Sequence, residues 1–247
     1  MSNSYIFRYA AIMVILVAVV LSAAAMFLKP MQDRNIAIAK MRGILQAANL
    51  QPEATNAVEL YDTYVVKEII ISPKGEELSI YDVKSQKFEI GDKRAFEVNL
   101  KEQLALKTRK QEYYLPLYLY VNGSDTLYIL PVHGRGLWGP IYGNIALTTD
   151  MNTVGGAKFF HDKETPGLGA EIDQVWFSDQ YKGKKIFDDK GNFVGVAPVK
   201  GGVAKLSPDK QTHGVDAISG GTITSNALGK TVHDVLESYV DYLKKKS

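Results

Sequence analysis

Between Tyr9 and Leu28 the chain reads YAAIMVILVAVVLSAAAMFL, twenty residues in which Ser22 is the only strongly polar side chain. This run limits the fold more sharply than any other stretch. A backbone in hydrocarbon must satisfy its own N–H and C=O groups, and for a single segment that means a helix. At about 1.5 Å per residue such a helix spans about 30 Å, the thickness of a bilayer core. A cleaved signal peptide competes for the same residues, because Ala23-Ala24-Ala25 resembles a small-residue cleavage site. Signal cores run about 7 to 15 residues, whereas this run continues through Met26, Phe27 and Leu28 to Lys29-Pro30. An uncleaved anchor over residues 1–30 is therefore expected. Arg8 lies before the run and Lys29, Arg34, Lys40 and Arg42 after it, so a strict charge count leaves the large domain cytoplasmic.

Beyond Pro30, Ile38, Met41, Leu45 and Ala48 fall on one stripe, which predicts a juxtamembrane helix within residues 31–59. A globular domain is expected over residues 60–247. Val, Ile, Tyr and Leu crowd Tyr64–Ser72, Tyr113–Val121 and Asp125–Pro131, which read as strands, the last two joined across Asn122-Gly123 as a hairpin. Gly143–Asp150 and Phe193–Lys200 read as further strands, Ala170–Tyr181 as a helix, and Pro73–Lys110 gives only short elements. Hairpin-ordered strands with few helices point to an α+β fold, an antiparallel sheet with helices packed on it, behind one transmembrane helix. The net charge is +2, with lysines and acids interspersed, so there is no electrostatic footprint for nucleic acid. Cysteine is absent, which excludes disulfides, thiolate-held iron–sulfur clusters and all-cysteine zinc sites within this chain. His133, His161, His213 and His233 stand singly and show no metal spacing.

Chemistry concentrates in Asp216-Ala217-Ile218-Ser219-Gly220-Gly221-Thr222-Ile223-Thr224-Ser225, placed just before an amphipathic segment. In that segment Leu228, Val232, Val235, Leu236, Tyr239 and Leu243 form one stripe and Lys244, Lys245 and Lys246 close it. The start of a helix offers unpaired N–H groups and the positive end of its dipole, which suits a phosphate. An ordinary helix N-cap would explain a Ser-Gly-Gly turn equally well. One hydroxyl suffices for a cap, whereas four occur from Ser219 to Ser225, with an acid upstream at Asp216. Neither a Walker loop nor a three-glycine dinucleotide fingerprint is present. Two other segments carry signals. Arg135 to Gly143 gathers glycines with Trp138 and Tyr142, suited to stacking on a flat ring or to a turn with core aromatics. Glu164-Thr165-Pro166-Gly167-Leu168-Gly169 defines a turn that could present polar groups inward or simply lead into a helix.

Asp216, Ser219, Gly220, Thr222 and Thr224 match Asp-x-x-Ser/Thr-Gly-Ala-Thr/Ser-x-Thr/Ser, the flavinylation signature of the covalent FMN-binding domain family, with Gly221 where that family usually has Ala. The chain resembles this family, and within it the C subunits of sodium-translocating NADH:quinone reductases. The resemblance runs from anchor to closing helix. It implies FMN esterified through its phosphate to Thr224 by a flavin transferase that uses FAD, with Asp216, Ser219, Gly220, Gly221, Thr222 and Ser225 around the phosphate. Glu164, Thr165, Gly167, Leu168 and Gly169 match the family's Glu-Thr-Pro-Gly-Leu-Gly pocket segment, and Trp138 and Tyr142 its Trp-Gly-Pro segment, offset by one position. Lys200, before Gly201-Gly202, could set a cation near the phosphate or the reduced ring, or be a solvated turn lysine. The implied role is single-electron relay inside a bacterial inner-membrane complex of six subunits that oxidises NADH, reduces a quinone and pumps sodium. The chain would be single-pass with its soluble domain extracytoplasmic, against the charge count.

Three other readings share some of these features. The signature also occurs in the G protein of the related Rnf electron-transport complex. An anchored scaffold domain without cofactor would share the anchor and fold but needs no such set of motifs. A Thr- or Ser-nucleophile hydrolase would require a nucleophile elbow, Ser-x-x-Lys or a His partner, none of which is evident.

Overall fold

The computed structural model describes residues 3–247. Met1 and Ser2, the first residues of the expected anchor, lie outside the described residues. The apolar run falls in helix α1 (Asn3–Ala47), 45 residues without interruption and long and apolar enough to cross a membrane. Pro30 sits inside it, so the separate juxtamembrane helix expected after Pro30 is the continuation of the same one. A proline removes one i→i−4 bond; strong helix formers on both sides carry the helix past that loss. The chain divides into two compact units between Lys40 and Met41. The second unit thus begins well ahead of residue 60, because Ile44, Leu45 and Ala47 are fully buried in its core.

The second unit is built on a seven-stranded sheet. Its strands are β1 (Val65–Ile71), β2 (Glu77–Asp82), β3 (Lys87–Ile90), β4 (Leu115–Asn122), β5 (Asp125–Arg135), β6 (Pro140–Leu147) and β7 (Val154–His161), ordered β3-β2-β1-β4-β5-β6-β7. Every neighbouring pair is antiparallel. The α+β architecture expected from sequence is the one found. Both faces of the sheet are covered, which is why the central strands read as near-continuous apolar runs. Ile69, Ile71, Leu115, Leu117, Leu130, Val132, Ile141 and Phe159 join one core, and Val65, Ile70, Tyr118, Tyr120, Leu127 and Ile129 the other. The first core lies under α6 (Thr222–Glu237) and α7 (Val240–Lys246), whose stripe from Leu228 to Leu243 is buried. The closing helix expected as one element breaks at Ser238-Tyr239. The second core lies under Met41–Ala47 and α2 (Ala57–Tyr64).

Several expectations shift. Gly143–Asp150 is β6, moved three residues earlier to Pro140–Leu147. Ala170–Tyr181 is not one helix: a 3-10 turn over Gly169–Asp173 is followed by the five-residue α4 (Val175–Asp179). Of Phe193–Lys200 only β8 (Ala197–Val199) is a strand, paired in parallel with β9 (Gly214–Asp216). Pro73–Lys110 supplies β2, β3 and α3 (Leu100–Thr108). The short helix α5 (Pro208–Gln211) precedes β9. Strand β7 carries no clear strand signal in the sequence, because Gly155-Gly156 argues against a strand interior. The second of these glycines is structural: a Cβ on Gly156 would lie 2.3 Å from the Ala47 carbonyl oxygen, so only glycine lets the end of α1 pack onto β7.

Candidate functional site

Helix α6 begins at Thr222 with Gly221 at the N-cap position, and no side chain caps it. Among the described residues the N–H groups of Thr222, Ile223 and Thr224 have no acceptor. None of the hydroxyls in the cluster caps the helix. Thr224 is only 2% exposed, and its Oγ1 donates to Glu164 Oε2 at 2.5 Å. Ser225, fully buried, turns backward. Its Oγ accepts from the Ile218 N–H at 3.1 Å and donates to the Gly221 carbonyl at 3.0 Å, so this hydroxyl is spent on holding the Ile218–Gly221 turn. Ser219 and Gly220 are exposed and Thr222 is half-buried.

Glu164 is the hub. Its side chain is buried, it receives Thr224 on one oxygen, and its Oε1 accepts the Trp138 backbone N–H at 2.9 Å. Its own backbone N–H donates to His161 Nδ1 at 3.2 Å. His161 lies at the end of β7, with Nε2 3.7 Å from Asp173 Oδ2. Sequence reading gave this histidine no role; its position three residues before Glu164 was the available signal. Thr165 is exposed, and its carbonyl accepts from the Leu168 and Ala170 N–H groups at 3.1 Å each, closing the turn in which Gly167 takes φ +73°. Leu168, 42% exposed, leans over Gly220 and Gly221. The fit leaves no room for substituents: a Cβ on Gly169 would stand 2.4 Å from Thr224 Oγ1, and one on Gly221 3.0 Å from the Leu168 carbonyl carbon. Gly221, where alanine is usual in the resembled family, is thus matched to the Leu168 backbone above it.

The structure does not bring every candidate to this point. Tyr142 pairs with His133 and Phe160 across the sheet and stacks on both rings, at 6.4 and 5.7 Å between centroids. Strand alternation puts its neighbour Ile141 in the core beneath α6, so Tyr142 faces the opposite side of the sheet from Thr224. Its hydroxyl is pushed above the usual tyrosine value by burial and by the Asp162 charge. His133 beside it is held below the ordinary histidine range by burial and by Lys101. Lys200 is exposed in the turn after β8. Asp216, at the end of β9, is committed elsewhere: its Oδ1 accepts the Val203 N–H at 2.6 Å. Trp138 reaches Glu164 through its backbone, and its indole is 62% exposed. The indole borders a groove of about 420 Å³ whose other charged walls are Lys101, Arg135 and Lys163.

The FMN-binding domain family matches residues 136–237, which holds Glu164, Thr224 and the Trp138 turn together. The C subunit of the Na(+)-translocating NADH-quinone reductase of Haemophilus ducreyi is 35% identical over 217 residues, covering 85% of this chain and 80% of that protein. The chain belongs to this C-subunit family. Its Pseudomonas aeruginosa member is 31% identical over 242 residues, covering 92% of this chain and 91% of its own length. The solved structure of the member from Parabacteroides distasonis superposes with a TM-score of 0.73 at 33% identity, over 87% of this chain and 96% of that one. The buried Thr224–Glu164 pair and the start of α6 both lie within the residues that the FMN-binding domain family matches.

Proposed function

We propose that this chain is the membrane-anchored FMN subunit of a multi-subunit Na(+)-translocating NADH-quinone reductase, with FMN esterified through its phosphate to Thr224. The carrying observation is the start of α6: three N–H groups without acceptors among the described residues, beside a buried threonine hydroxyl against which Gly169 packs closely enough that a Cβ would clash. A phosphate there is stabilised by those donors and by the helix dipole. Bound FMN would supply one-electron redox chemistry. The protein's part is to fix the attachment point, to cover the tail with Leu168 and to offer the exposed Trp138 indole as a stacking face. Exclusion of water comes from the burial of Thr224 and Glu164.

Helix α1 holds this domain at the bacterial inner membrane as a single pass, and the domain lies on the extracytoplasmic side, where a flavin transferase attaches FMN from FAD. Long domains translocate largely regardless of flanking charge, so the cations after Leu28 do not oppose this side. The chain would supply this FMN site beside five partner subunits. The test is coexpression with a flavin transferase, acid denaturation and gel electrophoresis under ultraviolet light. A fluorescent band that Thr224→Val abolishes is expected. A dark wild-type band refutes covalent attachment, and fluorescence in Thr224→Val refutes the residue.

A further inference from the structure

The hydroxyl that would be modified is out of reach in this fold. Thr224 is 2% exposed, its Oγ1 is engaged by Glu164, and the 164–169 turn packs on it through Gly169, with Leu168 against Gly220 and Gly221. We infer that Glu164 latches the 164–169 turn shut over Thr224, so that modification takes place on an opened form and removes the latch for good. The inference rests on the covalent reading given above.

The turn is built to move as a unit. Residues 165 to 168 are exposed, Gly167 has open space around its Cα, and the turn's internal bonds, Leu168 and Ala170 N–H to the Thr165 carbonyl, travel with it. The Glu164 carboxylate ties it to the rest by hydrogen bonds, gripping α6 through Thr224 and the β5–β6 hairpin through the Trp138 N–H. Charge-assisted hydrogen bonds of this kind are about twice as strong as neutral ones. Esterification changes both partners of the first bond. In the transfer the pyrophosphate of FAD breaks, the FMN-side phosphorus gains a bond to Thr224 Oγ1, AMP leaves, and the hydroxyl proton goes to the departing phosphate and solvent. Thr224 then has no hydrogen to donate, and an anionic phosphodiester stands beside a carboxylate. Two like charges at such spacing repel. The Glu164 side chain is driven from Oγ1, and the empty and loaded proteins differ in how the turn is held.

The test uses the full chain in detergent with purified transferase and FAD, following covalent fluorescence with time. Glu164→Ala, checked for native near-ultraviolet circular dichroism, is expected to be labelled about tenfold faster than wild type, the factor that corresponds to about 1.4 kcal/mol. A rate equal to or below wild type overturns the latch. A second variant removes the ambiguity of a loosened fold. Since the chain has no cysteine, Leu168→Cys with Gly220→Cys can be joined by oxidation or a short bis-thiol linker, confirmed by mass. The joined protein is expected to resist labelling, and the oxidised form to recover its rate on reduction. Equal labelling of joined and open forms overturns the inference while leaving the attachment to Thr224 intact; a wild-type chain that takes up no covalent flavin refutes the attachment itself.

Discussion

Gly169→Ala places one methyl group between the two residues that define the site. The added Cβ would stand 2.4 Å from Thr224 Oγ1, 2.7 Å from Glu164 Oε2 and 3.0 Å from Thr224 Cβ. Ordinary carbon contacts begin near 3.5 Å, so the overlap is about an ångström on two sides. Two escapes exist. If the turn yields, the cost is that of overpacking a filled site, about 1–3 kcal/mol. If Thr224 rotates away instead, the Glu164 carboxylate loses a donor while buried, which costs about 1–3 kcal/mol. Either route predicts about 2 kcal/mol. Urea unfolding of the detergent-solubilised chain measures it as a lower midpoint at unchanged slope. The control is Gly167→Ala, where a Cβ meets nothing but φ is +73°; backbone strain alone predicts about 1 kcal/mol. The two variants separate in the Thr224–Glu164 pair, which Gly169→Ala distorts and Gly167→Ala leaves in place. Wild-type stability and a wild-type rate of covalent labelling in Gly169→Ala would show that the glycine is not there for clearance.

Two further substitutions probe the scaffold. Glu68 is 1% exposed and is held by Arg94 in an ion pair at 2.5 Å, with Tyr61 Oη and the Phe96 N–H donating to the same carboxylate at 3.0 and 2.9 Å. Arg94→Ala strands a buried charge and should cost about 3–5 kcal/mol, seen in the urea midpoint; a loss below about 1 kcal/mol would mean that the tyrosine and the backbone donor suffice. Asp150 is held down to about 2, because hydrogen bonds from Thr153, Asn152 and Thr148 outweigh the opposing effect of its partial burial. A carboxyl lowered on folding stabilises above its unfolded value and loses that contribution as pH falls through its folded value. Asp150→Ala should therefore cost stability at neutral pH, about 1 kcal/mol once solvent screening is allowed for, and the gap to wild type should close between about pH 4 and pH 2. A pH-independent gap would show that packing, not ionisation, was lost.

Which parts of this architecture the sequence disclosed follows from how much each residue's environment is local. The central strands and the α6–α7 stripe were legible because burial on a whole face imposes a period. Strands β2 and β3 were not, since β3 is exposed at all four positions and carries no such period. The hydroxyl cluster was legible as the start of a helix, and α6 begins there. Its division of labour was not: Ser225 serves the turn behind it and Thr224 meets a carboxylate brought from the far end of β7, a pairing that no spacing encodes. Tyr142 illustrates the opposite failure. Its neighbours Trp138 and Gly139 sit at the hairpin tip, but one residue of strand alternation past Ile141 turns the ring to the other side of the sheet.

The sheet's two borders bear on how such a domain survives at the crowded density of a membrane assembly. An open border invites another chain to add a strand, which is the first step of aggregation. Here the start of β7 is already taken: Val154 exchanges backbone bonds with Gly183 and Lys184, each at 2.8 Å. The other border is β3, kept to four residues, with Lys87 and Glu89 placing opposite charges along it and Glu89 tied to Lys67 at 2.8 Å. A visiting strand would gain few hydrogen bonds there and would have to strip water from both charges. The poorly patterned segment that hid β3 from a sequence reader is, for the folded protein, protection against polymerisation.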